Sequence, residues 1–303
     1  MGYSGLSSKE KIRSPVVAGL FYPEEKRAAE SRLRSFGLKK GAGTHALAIV
    51  APHGAWDLSG QVAATAFSAA PGMGKPRNED ITRVVILGPI HVLDEEGIFF
   101  SDSPFFKTPL GRLPVDIKLS EELASCSTYF EINDIPHLKE HSVEVLLPFV
   151  KFCFPQAAII PILMGGIKPS RISALARALR IILEPLMGNT LLVISTGLSK
   201  SHDEKNALAQ AAEFVRLLRE KDQETLTAAI YDRRISACGG ALTAAVLQSG
   251  LLHTTRTSVM PDVPVIARGD EGQIVCYGVV CFAEGALPLL TPKNGAAPQQ
   301  NLR

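Results

Sequence analysis

Thr82-Arg-Val-Val-Ile-Leu-Gly-Pro-Ile-His91 is the stretch whose reading decides the fold. Val84 to Leu87 is an unbroken branched apolar run, and Gly88-Pro89 closes it. A strand with one wet face alternates apolar and polar residues, so a continuous short run marks a strand covered on both faces. Three more stretches read the same way: 46–51 (ALAIVA), 157–163 (AAIIPIL) and 190–195 (TLLVIS). Residues 97–101, 255–260 and 273–283 are weaker strand candidates. Helical patterns lie between. Residues 59–70 are Ala-rich, and 141–153 place Val145, Leu146, Phe149 and Phe152 three and four apart. Pro169 to Leu186 carries Ile172, Leu175, Ala176, Leu179 and Ile182 on one face, and 203–220 and 238–251 are helical too. Strands alternating with helices predict an α/β fold, a three-layer sandwich with a largely parallel or mixed central sheet and helices on both faces.

In such sheets, binding sites lie beyond the carboxyl ends of the strands. Strand 46–51 runs into Pro52-His53, and strand 82–87 into Gly88-Pro89-Ile90-His91. Each proline stiffens its loop, so both imidazoles are held in place. Imidazole is a common metal ligand and a general base. The other two strong strands end in Gly165-Gly166 and Thr196-Gly197.

Composition narrows the function classes. The 303 residues are 46% hydrophobic and 20% charged, an ordinary globular balance. A net charge of +2 gives no electrostatic case for nucleic acid or an anionic membrane as partner. No apolar run reaches bilayer length. The N-terminus lacks the apolar core of a signal peptide, and Leu6 stands where a myristoylation signal wants Ser or Thr. Five irregularly spaced cysteines predict reduced thiols and a cytoplasmic location rather than a disulfide framework. Cys126, Cys153, Cys276 and Cys281 lie in apolar patterns and read as core. Cys238 opens an Ala-rich helix, where backbone amides favour a thiolate.

His137-Leu-Lys-Glu140-His141 matches the H-x-x-E-H zinc pattern, although Pro136 keeps the first histidine near a loop. The rival reading keeps His141 and Glu144 alone as site groups at a helix start. Gly72-Met-Gly74-Lys75 lacks the first glycine and the Ser/Thr of a P-loop. No G-x-S-x-G elbow and no basic, aromatic-interleaved stripe are present.

An ordered set of short motifs resembles the Memo family. It consists of Arg13-Ser-Pro15-Val-Val-Ala18-Gly19-Leu-Phe21-Tyr22-Pro23, Ala51-Pro52-His53 with Ser59-Gly60, Ile86 to His91, Glu140-His141-Ser142-Val143-Glu144 with Leu147-Pro148-Phe149, and Cys238-Gly239. The resemblance implies a fold like that of class III extradiol, LigB-type, non-haem iron dioxygenases. With no internal repeat or composition break, and with the motifs starting at residue 13, residues 13–284 read as a single domain, 1–12 as an N-terminal extension and the Pro-, Gly-, Gln- and Asn-rich 285–303 as a tail. The resemblance also implies iron or copper held by His53, His91 and Cys238. His141 would be an acid–base group behind these ligands, oriented by Glu144. Two departures weaken the metal site. Trp56 enters the motif after His53 in place of the family's Tyr. Gly197 and Lys200 stand where the family carries Asp and His, so the pocket loses an anion and gains a cation. Three readings result: a metal-dependent redox or dioxygenase-like protein with a degraded site, a non-enzymatic binding protein that has lost the metal and recognises a small-molecule ligand bearing a phosphate or a partner protein, and a zinc hydrolase using His137, Glu140 and His141.

Overall fold

The computed structural model describes residues 11–38, 46–68, 81–92, 94–269 and 272–284. The Gly72–Lys75 segment and the tail 285–303 lie outside them. Among the described residues the main sheet has nine strands. Its centre is built from the four strong runs: β2 (Ala46–Ala51), β3 (Arg83–Pro89), β8 (Ala158–Gly165) and β9 (Thr190–Ser195). They stand in the order β2-β9-β3-β8, all parallel. β4 (Gly97–Phe100) joins β8 antiparallel and β7 (Phe130–Ile132) lies parallel outside it. At the other side β12 (Ile274–Ala283) pairs antiparallel with β2, β10 (Ser199–Ser201) and β11 (Arg256–Arg268). The sheet is therefore mixed.

Period-2 geometry sends successive side chains to opposite faces, and both faces are covered. Val85, Leu87, Ile160, Ile162, Leu192 and Ile194 join one core cluster. Val84, Ile86, Ile159, Leu163, Leu191 and Val193 join the other. The first cluster is closed by α3 (Ile117–Ala124), α6 (Pro169–Leu183), α7 (Glu204–Glu220), α8 (Gln223–Tyr231) and α9 (Gly240–Gln248). The second is closed by α1 (Lys26–Ser35), α2 (Trp56–Ser68) and α5 (Leu147–Cys153). This is the three-layer arrangement. Cys153, Cys276 and Cys281 are buried core thiols, and Cys126 is half-buried against the core. No helix among the described residues is long and apolar enough to cross a membrane.

A small three-stranded sheet, absent from the sequence reading, joins β1 (Ile12–Arg13), β5 (Phe105–Thr108) and β6 (Gly111–Pro114). It brings the N-terminal segment against residues 134–144. Arg13 is 2% exposed and stands over the Phe106 ring, 5.4 Å from its centroid. Its guanidinium donates to the carbonyls of His137 (2.9 and 2.6 Å) and Glu140 (3.1 Å) and pairs with Glu144. The Glu144 carboxylate also accepts from Val16 N–H, Val17 N–H and the Tyr22 hydroxyl.

The predicted helix over 141–153 begins late. Residues Glu144–Leu146 form a 3-10 turn, and α5 starts at Leu147. Pro148 has no N–H to give Glu144 and would collide with its carbonyl inside an α-helix.

Arg13 and Glu144 form a buried pair, both side chains 1% exposed. Glu144→Gln leaves the guanidinium without its counter-charge and should cost about 3–5 kcal/mol of unfolding free energy in urea titration. Arg216→Ala, which breaks exposed pairs with Glu213 and Glu220, should cost about 0–1 kcal/mol. Equal losses in the two variants would mean that the buried pair is no anchor.

Candidate metal centre

β2 and β3 flank β9, so the residues after them face each other across the end of β9. His53 follows β2 and His91 follows β3. His141 arrives from the loop before α5. Donor atoms of these three histidines all lie within 4.8 Å of one another. Ring centroids are 5.0 Å apart for His53–His91, 5.6 Å for His53–His141 and 4.9 Å for the stacked pair His91–His141. Phe21 packs on His141 from outside, at 4.9 Å.

Each ring has a reason to stay where it is. The Ser195 hydroxyl donates to the Ser142 carbonyl at 2.6 Å. Its oxygen is then the acceptor for His53 Nδ1–H at 2.7 Å. That turns His53 Nε2 towards Cys238 and the cleft. Glu140, 2% exposed, holds the other two. Its Oε2 accepts from His91 N–H at 2.5 Å, and its Oε1 lies 3.0 Å from His91 Nδ1 and 3.2 Å from His141 Nδ1. The backbone N–H groups of His141 and Ser142 donate to the same Oε1 at 2.9 and 2.8 Å.

The electrostatics follow. Burial pushes the Glu140 carboxyl up, but its bond to His91 outweighs this and holds it at about 2. Burial pulls His91 down, yet hydrogen bonds with Cys238 and Glu140 raise it to about 9. His141 is lowered to about 4, mostly by burial. Burial opposes ionisation of Cys238, but the charges and hydrogen bonds of His53 and His91 hold the thiol well below its usual value. Cys238 is exposed to the cleft, so solvent screens part of that effect. Glu140 and Cys238 thus present two negative charges that stabilise a positive one between them.

Cys238 Sγ lies 3.4 Å from His53 Nε2 and accepts from Gly197 N–H at 3.4 Å. Gly239 makes this approach feasible: a Cβ there would stand 2.5 Å from the Ser195 carbonyl oxygen.

His53, His91 and Cys238, the expected ligands, do meet in one cleft, together with His141. His141 belongs to the mutually close group, and Cys238 stands beside it. The orienting partner changes: Glu140 orients His141, because the Glu144 carboxylate is committed to the N-terminal segment. Trp56 is not in the cleft. It is 2% exposed, packs on Tyr22, Phe36 and Phe149, and donates Nε1–H to the Val145 carbonyl at 3.3 Å. Gly197 and Lys200 do line the cleft, about 320 Å³ in volume, with His53, His91, His141 and Cys238. The zinc-hydrolase triad does not assemble. His137 ends the short α4 (Asp134–His137), is 2% exposed, and donates Nε2–H to the Phe99 carbonyl at 3.1 Å. Sequence reasoning missed Ser195 and Tyr277 of the site and the orienting role of Glu140. A buried strand-end serine and a lone tyrosine in the apolar run 274–283 were the available signals.

Comparison with known proteins places these residues in a family. Residues 13–278 match the family model described as Memo-like protein. A protein of Thermotoga neapolitana named as a MEMO1 family protein is 34% identical over 269 residues, 83% of this chain and 95% of that one. One of Thermotoga petrophila with the same name is 30% identical over 88% of this chain and 97% of its own length. One of Nitrosopumilus maritimus is 28% identical over 89% and 99%.

Two predictions separate orientation from burial. Ser195→Ala frees the His53 ring and should weaken zinc binding about 10–100-fold in chelator competition; unchanged affinity would remove Ser195 from the site. Burial pushes His137 down to about 4, while an unfolded histidine titrates near ~6.5. Its contribution to stability is full above that value and is lost as pH falls towards 4. Between pH 7.5 and 5.0, His137→Gln should therefore lose about 2 kcal/mol less than the parent protein in urea unfolding.

Proposed function

Since the chain belongs to the Memo-like protein family, we propose that it is a metal-dependent protein performing redox, dioxygenase-like chemistry with iron or copper. One observation carries this reading: three imidazole donors converge at the carboxyl end of the sheet. The chemistry of the donor set fits such an ion. Imidazole nitrogen suits iron and copper, and thiolate sulfur beside it tilts the preference to copper. His53, His91 and His141 are the residues to hold it, with Cys238 alongside. When bound, a redox metal supplies one-electron transfer and a binding position for oxygen or substrate.

The chain's own groups do the rest. Ser195 and Glu140 fix which nitrogen each histidine offers. Glu140 and Cys238 favour positive charge in the cleft, and Lys200 opposes it. His141 is neutral near pH 7, a proton acceptor if it is released from coordination. The free cysteines support the cytoplasm as the compartment.

Gly197 and Lys200 favour a second reading, in which the cleft binds a ligand and no metal. They also supply its test. A Cβ at Gly197 would meet Val275 Cγ1 at 3.4 Å and the Cys276 carbonyl at 3.7 Å, ordinary contacts, so a side chain can start there without displacing its neighbours.

The experiment is metal analysis of protein purified without added metal, then chelator competition with iron, copper and zinc. His53→Ala, His91→Ala and His141→Ala should each weaken binding by at least about tenfold, and the double variant Gly197→Asp/Lys200→His should strengthen it by about tenfold or more. Affinity indifferent to all three histidine substitutions would sink the metal reading.

A further inference from the structure

The cleft carries a cation that metal binding does not use. Lys200 lies on β10, opposite Val275 of β12, and is exposed where it lines the cleft. No carboxylate lines that cleft among the described residues. A neighbouring hydroxyl is also uncommitted: among the described residues Tyr277 makes no hydrogen bond through its phenol, and burial pushes its pKa up to about 12, so it remains a donor.

The donors beside Lys200 and Cys238 are taken. Gly197 N–H goes to Cys238 Sγ, Gly239 N–H to Thr196 Oγ1, and Lys200 N–H to Ser236 Oγ. The Ser199 hydroxyl donates to the Ala207 carbonyl and that of Ser236 to the Lys200 carbonyl. A phosphate needs several donors for three oxygens and two charges, and here, apart from the Gly54 amide, it would find one ammonium and one phenol. A carboxylate, with two oxygens and one charge, matches that pair. The remaining wall is apolar at Val275 and the Tyr277 ring. A larger cavity of about 680 Å³ shares Cys238 with the cleft and gives room for a longer substituent.

We propose that the cleft recognises a small organic acid, its carboxylate held by Lys200 and Tyr277 beside the histidine cluster and its apolar body against Val275 and the Tyr277 ring. The proposal rests on the cleft being the functional site and names the substrate class for it. It does not rest on which metal is bound.

Calorimetric titration of the full chain, with and without zinc, tests it using phenylacetate, acetate and the neutral isostere phenylacetamide. Phenylacetate should bind at least about tenfold more tightly than phenylacetamide, since charge-assisted hydrogen bonds are the strong ones. It should also bind more tightly than acetate. Lys200→Gln, an exposed substitution, should weaken phenylacetate about tenfold and Tyr277→Phe about threefold or more, without weakening phenylacetamide. Lys200→Gln should leave zinc affinity equal or higher, because it removes a positive charge. Equal affinity for acid and amide, no binding of phenylacetate at millimolar concentration, or an unchanged Lys200→Gln variant would overturn the proposal. Carboxylate binding with these sensitivities in a protein that takes up no metal would uphold it and remove the metal reading instead.

Discussion

A single buried carboxylate sets the geometry of the site. Glu140 has left water, and the desolvation this costs is offset only by groups that donate to it at close range. Those groups are two backbone amides of its own loop, the amide of His91 and the inner nitrogens of two histidines. The loop before α5 and the tip of β3 are therefore tied to one point. Neither histidine can swing away without leaving part of a buried charge unsatisfied. Arg13 reinforces the arrangement from behind, through the carbonyls of His137 and Glu140. The motif residues Arg13, Tyr22 and Glu144 thus shape the site from a distance and do not touch its cleft.

The sheet supplies the other half of the placement. Its central strands are sealed on both faces, so those strands meet water only at their ends. β9 ends between β2 and β3, and its Ser195 binds the His53 ring on one side and the Ser142 carbonyl on the other. Close approach needs bare backbone at two points. A Cβ at Gly88 would press on Ser142 Oγ at 2.5 Å, as one at Gly239 would on the Ser195 carbonyl. These glycines mark where the loops meet the strand ends.

Much of this was legible in the sequence, and the limits have physical causes. The four doubly buried strands announce themselves because burial on both faces demands unbroken apolar runs. His53 and His91 follow from their positions at strand ends, and Cys238 from the family likeness and its helix start. The short strands of the small sheet and β7 carry no periodicity long enough to read. Short helices such as α3 and α8 went unread, whereas the longer α6 and α7 were read. The division of labour between Glu140 and Glu144 depends on which carboxylate meets Arg13, a contact across 131 positions. Trp56 sits three residues from His53, yet the first turn of α2 rotates it into the core; a motif position alone does not give a side chain's direction.

The long reach of these contacts bears on how the site comes into being during folding. Its cysteine and first histidine are 185 positions apart, and the Arg13 anchor reaches back across 124 to 131 positions. Closing loops of that size is entropically costly and slow, so no fragment of the chain holds the cluster in advance. A nascent chain that has emerged only as far as residue 200 has all three histidines but lacks β12, which closes the sheet beside β2. An ion bound here cannot act as an early nucleus, as zinc does in a short finger. It can only bias the finished native state against the unfolded ensemble, and the chain must reach that state on its hydrophobic core alone.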